Sequence, residues 1–440
     1  MQNRITLLAC MALMLAPIAR IAHSQEIYAI PEGLEPVSIW QNGFSATEAE
    51  RFRTDYSATD FWAGTDRTVF TYLNLSEVLN TMTVARDGPV SELEEARMDA
   101  IGEVAATTQL GTMTLNDALA DPRSRIQGIA VVHKGLIVFE AYPGMQSYQS
   151  HSWNSASKPI LGLLIHQLAG EGLVDIDKTV ADYLPFTSTY PVGAVRVRDV
   201  LHHRTGLDYE ETNATISDPS HPIGFGFAGA LGGRNDPAGP STRDALSRVG
   251  VLRRPGLAFQ YSSYNTQILG LIAEAATGKP LNQIISARIW RKAGMEGDAL
   301  LGLSAAGEPL AAGAFSSRLR DFARFGILFT PSWSAVSRDP IVPESYLQDV
   351  YAAADPKVYL EGVQGNRMVE GFGSEGVPYG SAYQWDAVFE DGDLFKPGIN
   401  GQAIYVSPQT DTVIVYFSTT FANSLYLIAY PRAIVNALFR

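Results

Sequence analysis

The 440-residue chain has a single cysteine, Cys10, and it sits in an N-terminal apolar run. That run, Ile5 to Ile18, follows Met1-Gln2-Asn3-Arg4 and leads to the small-residue site Ala22-His23-Ser24 before Gln25, the layout of a cleaved secretory signal over residues 1–24. Leu7-Leu8-Ala9-Cys10 imitates a lipoprotein box, but too few apolar residues precede Cys10 and the run continues past it. Residues 25–440 then carry no cysteine, so disulfides and thiol chemistry are unavailable to them. The location expected is periplasmic or secreted. No other stretch reaches the length of a transmembrane helix. Basic residues are scarce too: 33 Lys and Arg against 46 Asp and Glu give −13, and losing Arg4 and Arg20 with the signal takes this to −15. Such a balance argues against nucleic acid or an anionic membrane as partner. Repeats and low-complexity tracts are absent, and the lack of Gly-x-Ser-x-Gly counts against an α/β-hydrolase.

What is present can bury a large core, since 46% of the residues are hydrophobic. Residues 25–120 read as a polar, mixed N-terminal extension packing on the main body, with an amphipathic helix expected around Val90 to Val104. Ile126–Val132 and Leu136–Tyr142 flank His133-Lys134-Gly135, a hairpin signal. Gln402–Val406 and Thr412–Phe417 flank Ser407–Asp411 as a second hairpin, and a helix between about Ser424 and Leu438, kinked at or starting from Pro431, closes the chain. Strands at both ends with helices between predict one antiparallel sheet built from the two ends of residues 121–440, flanked by helices, with a mostly helical subdomain: an α/β (α+β) fold.

Three segments carry chemistry. Ser155-Ala156-Ser157-Lys158 opens the apolar helix Pro159–Leu168. A serine three residues before a lysine shares a helix face with it. A hydroxyl needs an adjacent base to become a nucleophile, and a lysine serves as one only when its surroundings keep it neutral. The helix N-terminus adds a positive end where an oxyanion would develop. Taken alone, the same tetrad also describes an exposed helix start capped by Ser155 or Ser157. The second segment, Arg254–Thr266, places Tyr261 on a short loop before the buried helix Gln267–Glu274, where a phenol could pass protons or simply fill core. The third, Lys396-Pro397-Gly398-Ile399-Asn400-Gly401-Gln402, enters the second hairpin. Its glycines, Gly401 included, permit close backbone approach, and the Gln402 amide could form half of an oxyanion hole. An ordinary strand-entry turn would read the same way.

In this order the three segments resemble the serine β-lactamase and penicillin-binding-protein superfamily over roughly residues 120–440, with Ser-x-x-Lys, a Tyr-x-Asn loop and a Lys-Thr-Gly-like strand. The likeness is nearer to the 6-aminohexanoate-dimer hydrolases and β-lactamase-like esterases, on Asp199–Leu207, Ile289–Ala299 and Ser317–Gly326. The resemblance implies a serine hydrolase in which Ser155 is acylated, Lys158 is its base and Tyr261 protonates the leaving group, with no cofactor and no metal. Two departures stand out. Tyr-x-Asn reads Tyr261-Ser262-Ser263, so Ser263 replaces an amide that orients substrate. The cationic strand motif reads Ile399-Asn400-Gly401, which weakens the lactamase and transpeptidase readings unless Arg318 or Lys396 supplies the charge. A tyrosine that contacts amide substrates in the dimer hydrolases aligns with Asn213.

The remaining candidates are weaker. Gly224–Gly229 fits a dinucleotide fingerprint, but no strand precedes it and the stretch to Pro240 reads as loop. His202-His203 lacks partners at metal-ligand spacing and reads as structural, and Asp391-Gly392-Asp393 reads as a solvated turn rather than a calcium loop. The expected function is hydrolysis of a small carboxylic ester or amide through an acyl-enzyme. The alternatives are a D,D-peptidase or β-lactamase, and a catalytically silent relative that binds peptidoglycan or a protein.

Overall fold

The computed structural model describes residues 35–234, 239–421 and 426–440. The expected signal, residues 1–24, lies outside them, as do residues 422–425 at the start of the expected C-terminal helix.

Both hairpins form where the alternation of residues places them, as Ile126–His133 with Leu136–Ala141 and Ala403–Ser407 with Thr412–Ser418. They join in one seven-stranded sheet because Thr412–Ser418 also pairs with Ile126–His133, Ile414 opposite Val131 and Val415 opposite Ala130. Leu394–Pro397, Trp385–Val388 and Gly380–Ala382 extend it beyond Ala403–Ser407, and every pairing is antiparallel. Side chains along a strand alternate between faces, and here both faces are covered. Ala130, Val132, Val413, Val415 and Phe417 join one core cluster, while Ile129, Val131, Ile414 and Tyr416 join the other. The first face meets the helix Leu319–Ile327, whose Gly326 approaches so closely that a Cβ would lie 2.4 Å from Val413. The second meets the C-terminal helix Ala429–Leu438, which carries Pro431 in its first turn, where a missing N–H costs nothing. A four-stranded sheet, with order Asn80–Val84, Ala299–Leu303, Phe315–Arg318 and Ser150–Ser152, brings the N-terminal segment into pairing with the main body. Val37, Trp40, Phe52 and Phe70 of that segment lie in the same core cluster as Trp153 and Leu164.

Three expectations are corrected. Residues 90–98 form no helix. They run beside Leu136–Ala141, where the amides of Ala96 and Met98 donate to Ile137 and Val138 and Glu94 accepts from Ile137, so a neighbouring strand rather than the local turn takes their backbone groups. The segment read as loop from Gly224 holds the helix Pro222–Ala230, and its glycines serve packing: a Cβ on Gly226 would overlap the Tyr264 hydroxyl and one on Gly229 would lie 2.5 Å from Pro240. The Asp391–Asp393 turn is not simply solvated, for Asp393 is buried and, with Asp391, holds Arg432 and Arg440.

Candidate active site

The Ser-x-x-Lys segment begins as a 3-10 turn, Asn154–Ser157, that runs into the helix Lys158–Gly170. Asn154 sits at φ +48°, a left-handed conformation that asparagine tolerates better than most residues. Its side chain fastens the turn, accepting from Ser152 Oγ at 2.7 Å and donating to the Ile399 carbonyl at 3.1 Å and to Gln402 Oε1 at 3.0 Å. Gly398 completes this contact, since a Cβ there would stand 2.6 Å from the Trp153 carbonyl. The turn that carries Ser155 is thereby fixed against the strand-entry segment.

Lys158 is fully buried, and its Nζ lies 2.9 Å from Ser155 Oγ, 3.0 Å from Ser263 Oγ and 2.5 Å from the Ala312 carbonyl. Burial pulls its pKa down to about 7, helped by Lys396 and opposed by Glu211 and Asp386. A neutral amine has two N–H groups and one lone pair. In that form, N–H groups given to the Ala312 carbonyl and Ser263 Oγ would leave the lone pair for the Ser155 hydroxyl.

Tyr261 stands at the head of the helix Ser263–Thr277, which Ser262 caps by accepting from the Tyr264 amide at 3.3 Å. Its phenol interacts with the hydroxyls of Ser155 and Ser263, and burial, reinforced by Glu211 and Asp386, raises its pKa well above the usual phenol range. It is therefore a neutral donor at ordinary pH. The His203 ring stacks on it with centroids 5.1 Å apart, while His203 Nδ1 accepts from the Ser262 amide at 3.3 Å. His202 Nδ1 accepts from the Tyr383 amide at 3.2 Å. Both histidines are thus engaged in holding the framework.

The other expected site residues divide. Ser263 is in the cluster. Gln402 borders the cavity beside Ser155, but its side-chain amide is spent on Asn154 and on the Ser418 carbonyl, leaving its backbone N–H as the group to offer a substrate. Gly401, at φ +94°, borders the same cavity, and Asn213 lies exposed on its wall at the start of Asn213–Ser217. Asn400 points away. It accepts from the Tyr72 hydroxyl at 2.8 Å and donates to the carbonyls of Trp62 at 3.1 Å and Thr420 at 2.8 Å, so it ties the N-terminal segment to the strand entry. Arg318 borders neither cavity at Ser155 and lies 3.7 Å from Glu296.

Sequence reasoning passed over Glu211 and the ion pair of Lys396 with Asp386. Glu211 accepts the Ser263 amide, and its pKa is raised by burial against the pull of Lys158. Beside Glu210, in a polar stretch, it carries no signal that separates it from a solvated acid. The Lys396 ammonium is 4.4 Å from the centre of the Tyr261 ring and 2.7 Å from Asp386. Two lysines and two acidic residues therefore surround the three hydroxyls.

Comparisons with known proteins identify the family and the fold. The β-lactamase family profile matches residues 93–438. The 6-aminohexanoate-dimer hydrolase of Paenarthrobacter ureafaciens is 27% identical over 370 residues, covering 82% of this chain and 87% of that protein. A solved structure carrying the 6-aminohexanoate-dimer hydrolase name, from Bacillus anthracis, superposes with a TM-score of 0.70 at 22% identity, over 87% of this chain and 97% of its own. The hydrolase EstCE1, described as having promiscuous acyltransferase activity, superposes with a TM-score of 0.53 at 18% identity, over 74% of this chain and 99% of its own. With a family match over most of its length and a serine–lysine pair at its centre, the chain belongs to the β-lactamase family and is a serine hydrolase.

Proposed function

We propose that the protein hydrolyses a carboxylic ester or amide through an acyl-enzyme on Ser155. The observation that carries this reading is Lys158, buried, shifted to about 7 and 2.9 Å from Ser155 Oγ. Ser155 Oγ attacks the carbonyl carbon while its proton passes to the neutral Lys158 amine. The carbonyl oxygen becomes an oxyanion, for which the backbone N–H groups of Ser155 and Gln402 are the donors at hand. On collapse the bond to the leaving group breaks, and that group takes a proton from Tyr261, which is replenished from the Lys158 ammonium through the shared hydroxyl cluster. Water then attacks the acyl carbon by the same route, releasing the acid and restoring Ser155. Glu211 positions Ser263 and keeps the cluster from accumulating positive charge. Export through the N-terminal signal belongs to the same proposal, and mature protein recovered outside the cytoplasm should begin at Gln25.

The test is labelling by a fluorophosphonate probe. One equivalent should attach at Ser155, and none in Ser155→Ala. Lys158→Ala should lose about a thousandfold or more in turnover, as members of a cooperating catalytic unit do. Labelling that persists in Ser155→Ala would sink the mechanism.

A further inference from the structure

Two cavities that differ in polarity meet at Ser155. The larger, about 630 Å³, is mixed, with Asn213, Gln364, Arg367 and Glu370 on its wall beside Val363 and Ile428. The smaller, about 130 Å³, is walled by Phe61, Trp62, Phe227, Leu231, Tyr264 and Leu310. Ser155, Glu211, Ile216 and Ile399 border both. The apolar wall is assembled from distant parts of the chain: Trp62 of the N-terminal segment packs edge-on against Phe227 of the helix Pro222–Ala230, centroids 6.0 Å apart. A substrate whose scissile carbonyl lies at Ser155 must send one substituent into each cavity.

The proton donor decides which substituent goes where. Tyr261 borders the larger cavity and does not border the smaller, apolar one. The leaving group has to reach the acid that protonates it, so it occupies the larger, more polar side and the acyl group occupies the apolar side.

Resting on the acyl-enzyme reading above, we infer that the substrates are esters or amides joining an uncharged apolar acyl chain to a polar, hydrogen-bonding alcohol or amine. The Trp62–Phe227 cavity selects the acyl chain, and the cavity of Asn213, Gln364 and Arg367 receives the leaving group. A methylene moved from water into such a cavity favours binding by about fourfold. Specificity therefore grows with acyl length until the cavity is full.

The experiment compares kcat/KM for p-nitrophenyl acetate, butyrate and octanoate, and for the isomeric pair ethyl octanoate and octyl acetate, on untreated enzyme whose active-site concentration is set by fluorophosphonate titration of a separate aliquot. Expected are a rise of about fourfold per methylene from acetate toward butyrate and a preference of at least about tenfold for ethyl octanoate over octyl acetate. Ala230→Phe, which fills the apolar cavity from its wall, should lower the octanoate-to-acetate ratio about tenfold or more while stoichiometric labelling persists. Phe227→Ser should lower the same ratio by opening the wall to water, and serves if Ala230→Phe does not fold. Intact labelling with a flat length profile, or with octyl acetate preferred, overturns the assignment of the cavities and leaves the acyl-enzyme standing. Failure of Ser155 to label removes both.

Discussion

Lys396 and Asp386 form an ion pair with no exposure to solvent, Nζ to Oδ1 2.7 Å, and the same ammonium faces the Tyr261 ring at 4.4 Å. A buried pair gains little over a well-packed apolar pair, yet removing one partner strands the other in low dielectric. Lys396→Met should therefore cost about 3–5 kcal/mol of stability, and Lys396→Met combined with Asp386→Leu should recover most of it. Denaturant unfolding of the wild type, the single variant and the double variant measures this. Additive losses would show that the two charges are not coupled.

On the proposed mechanism the shift of Lys158 sets the pH dependence of the reaction. Its base form is the active one, so kcat/KM for a neutral ester should rise with pH through a midpoint near the value of about 7 that burial imposes, then level off. Glu211 raises the Lys158 pKa and Lys396 lowers it. Glu211→Gln should move this limb to lower pH, and Lys396→Met should move it to higher pH, since the stranded Asp386 pushes the same way. A limb that stays in place in both variants would mean that another group controls the rate.

Tyr261→Phe should separate substrates by their leaving groups. Nitrophenolate departs without a proton, whereas an alkoxide or amine needs one. The variant should lose about a hundredfold or more on ethyl esters and short amides, and much less on p-nitrophenyl esters. Equal losses on both would recast the phenol as a positioning group for Ser155.

Much of this was legible in the sequence, for physical reasons that differ by element. The two hairpins follow from alternation in Ile126–Val132 and Thr412–Phe417, because period two dictates both the strand and its faces. Ser155, Lys158 and Tyr261 stood out through the resemblance of their segments to Ser-x-x-Lys and Tyr-x-Asn motifs, and the fold brings the three side chains together. The course of residues 90–98 was not, since the strand that captures their amides lies about forty residues away. Glu211 and the pairing of Lys396 with Asp386 escaped for a related reason: an acid or an ion pair stands out only when buried, and burial is decided by what folds over it. The aim of a side chain at a strand entry depends on a backbone angle, here φ +64° at Asn400, which composition does not reveal.

Asn400 bears directly on whether the enzyme favours neutral esters or penicillins. Its position corresponds to a cationic strand motif in the resemblance, yet its side chain is buried and bound to Tyr72, Trp62 and Thr420. A histidine placed there would break three buried hydrogen bonds before it could meet a substrate. Asn400→His should therefore cost stability, about 2–4 kcal/mol if unpaired partners cost about 1–3 each with partial compensation, without improving the handling of anions. Lys396 cannot substitute, being held by Asp386. A hydrogen-bonded charged partner contributes about 1.5–3 kcal/mol, roughly ten- to a hundredfold in affinity, and wild type lacks one at this strand. Its kcat/KM should favour a neutral p-nitrophenyl ester over nitrocefin, and Asn400→His should leave that ratio unchanged while lowering the melting temperature. If nitrocefin is instead the better substrate, the cation must come from the opposite wall, where Arg367 borders the cavity. Arg367→Ala would then abolish the preference, and the lactamase reading would replace the esterase one.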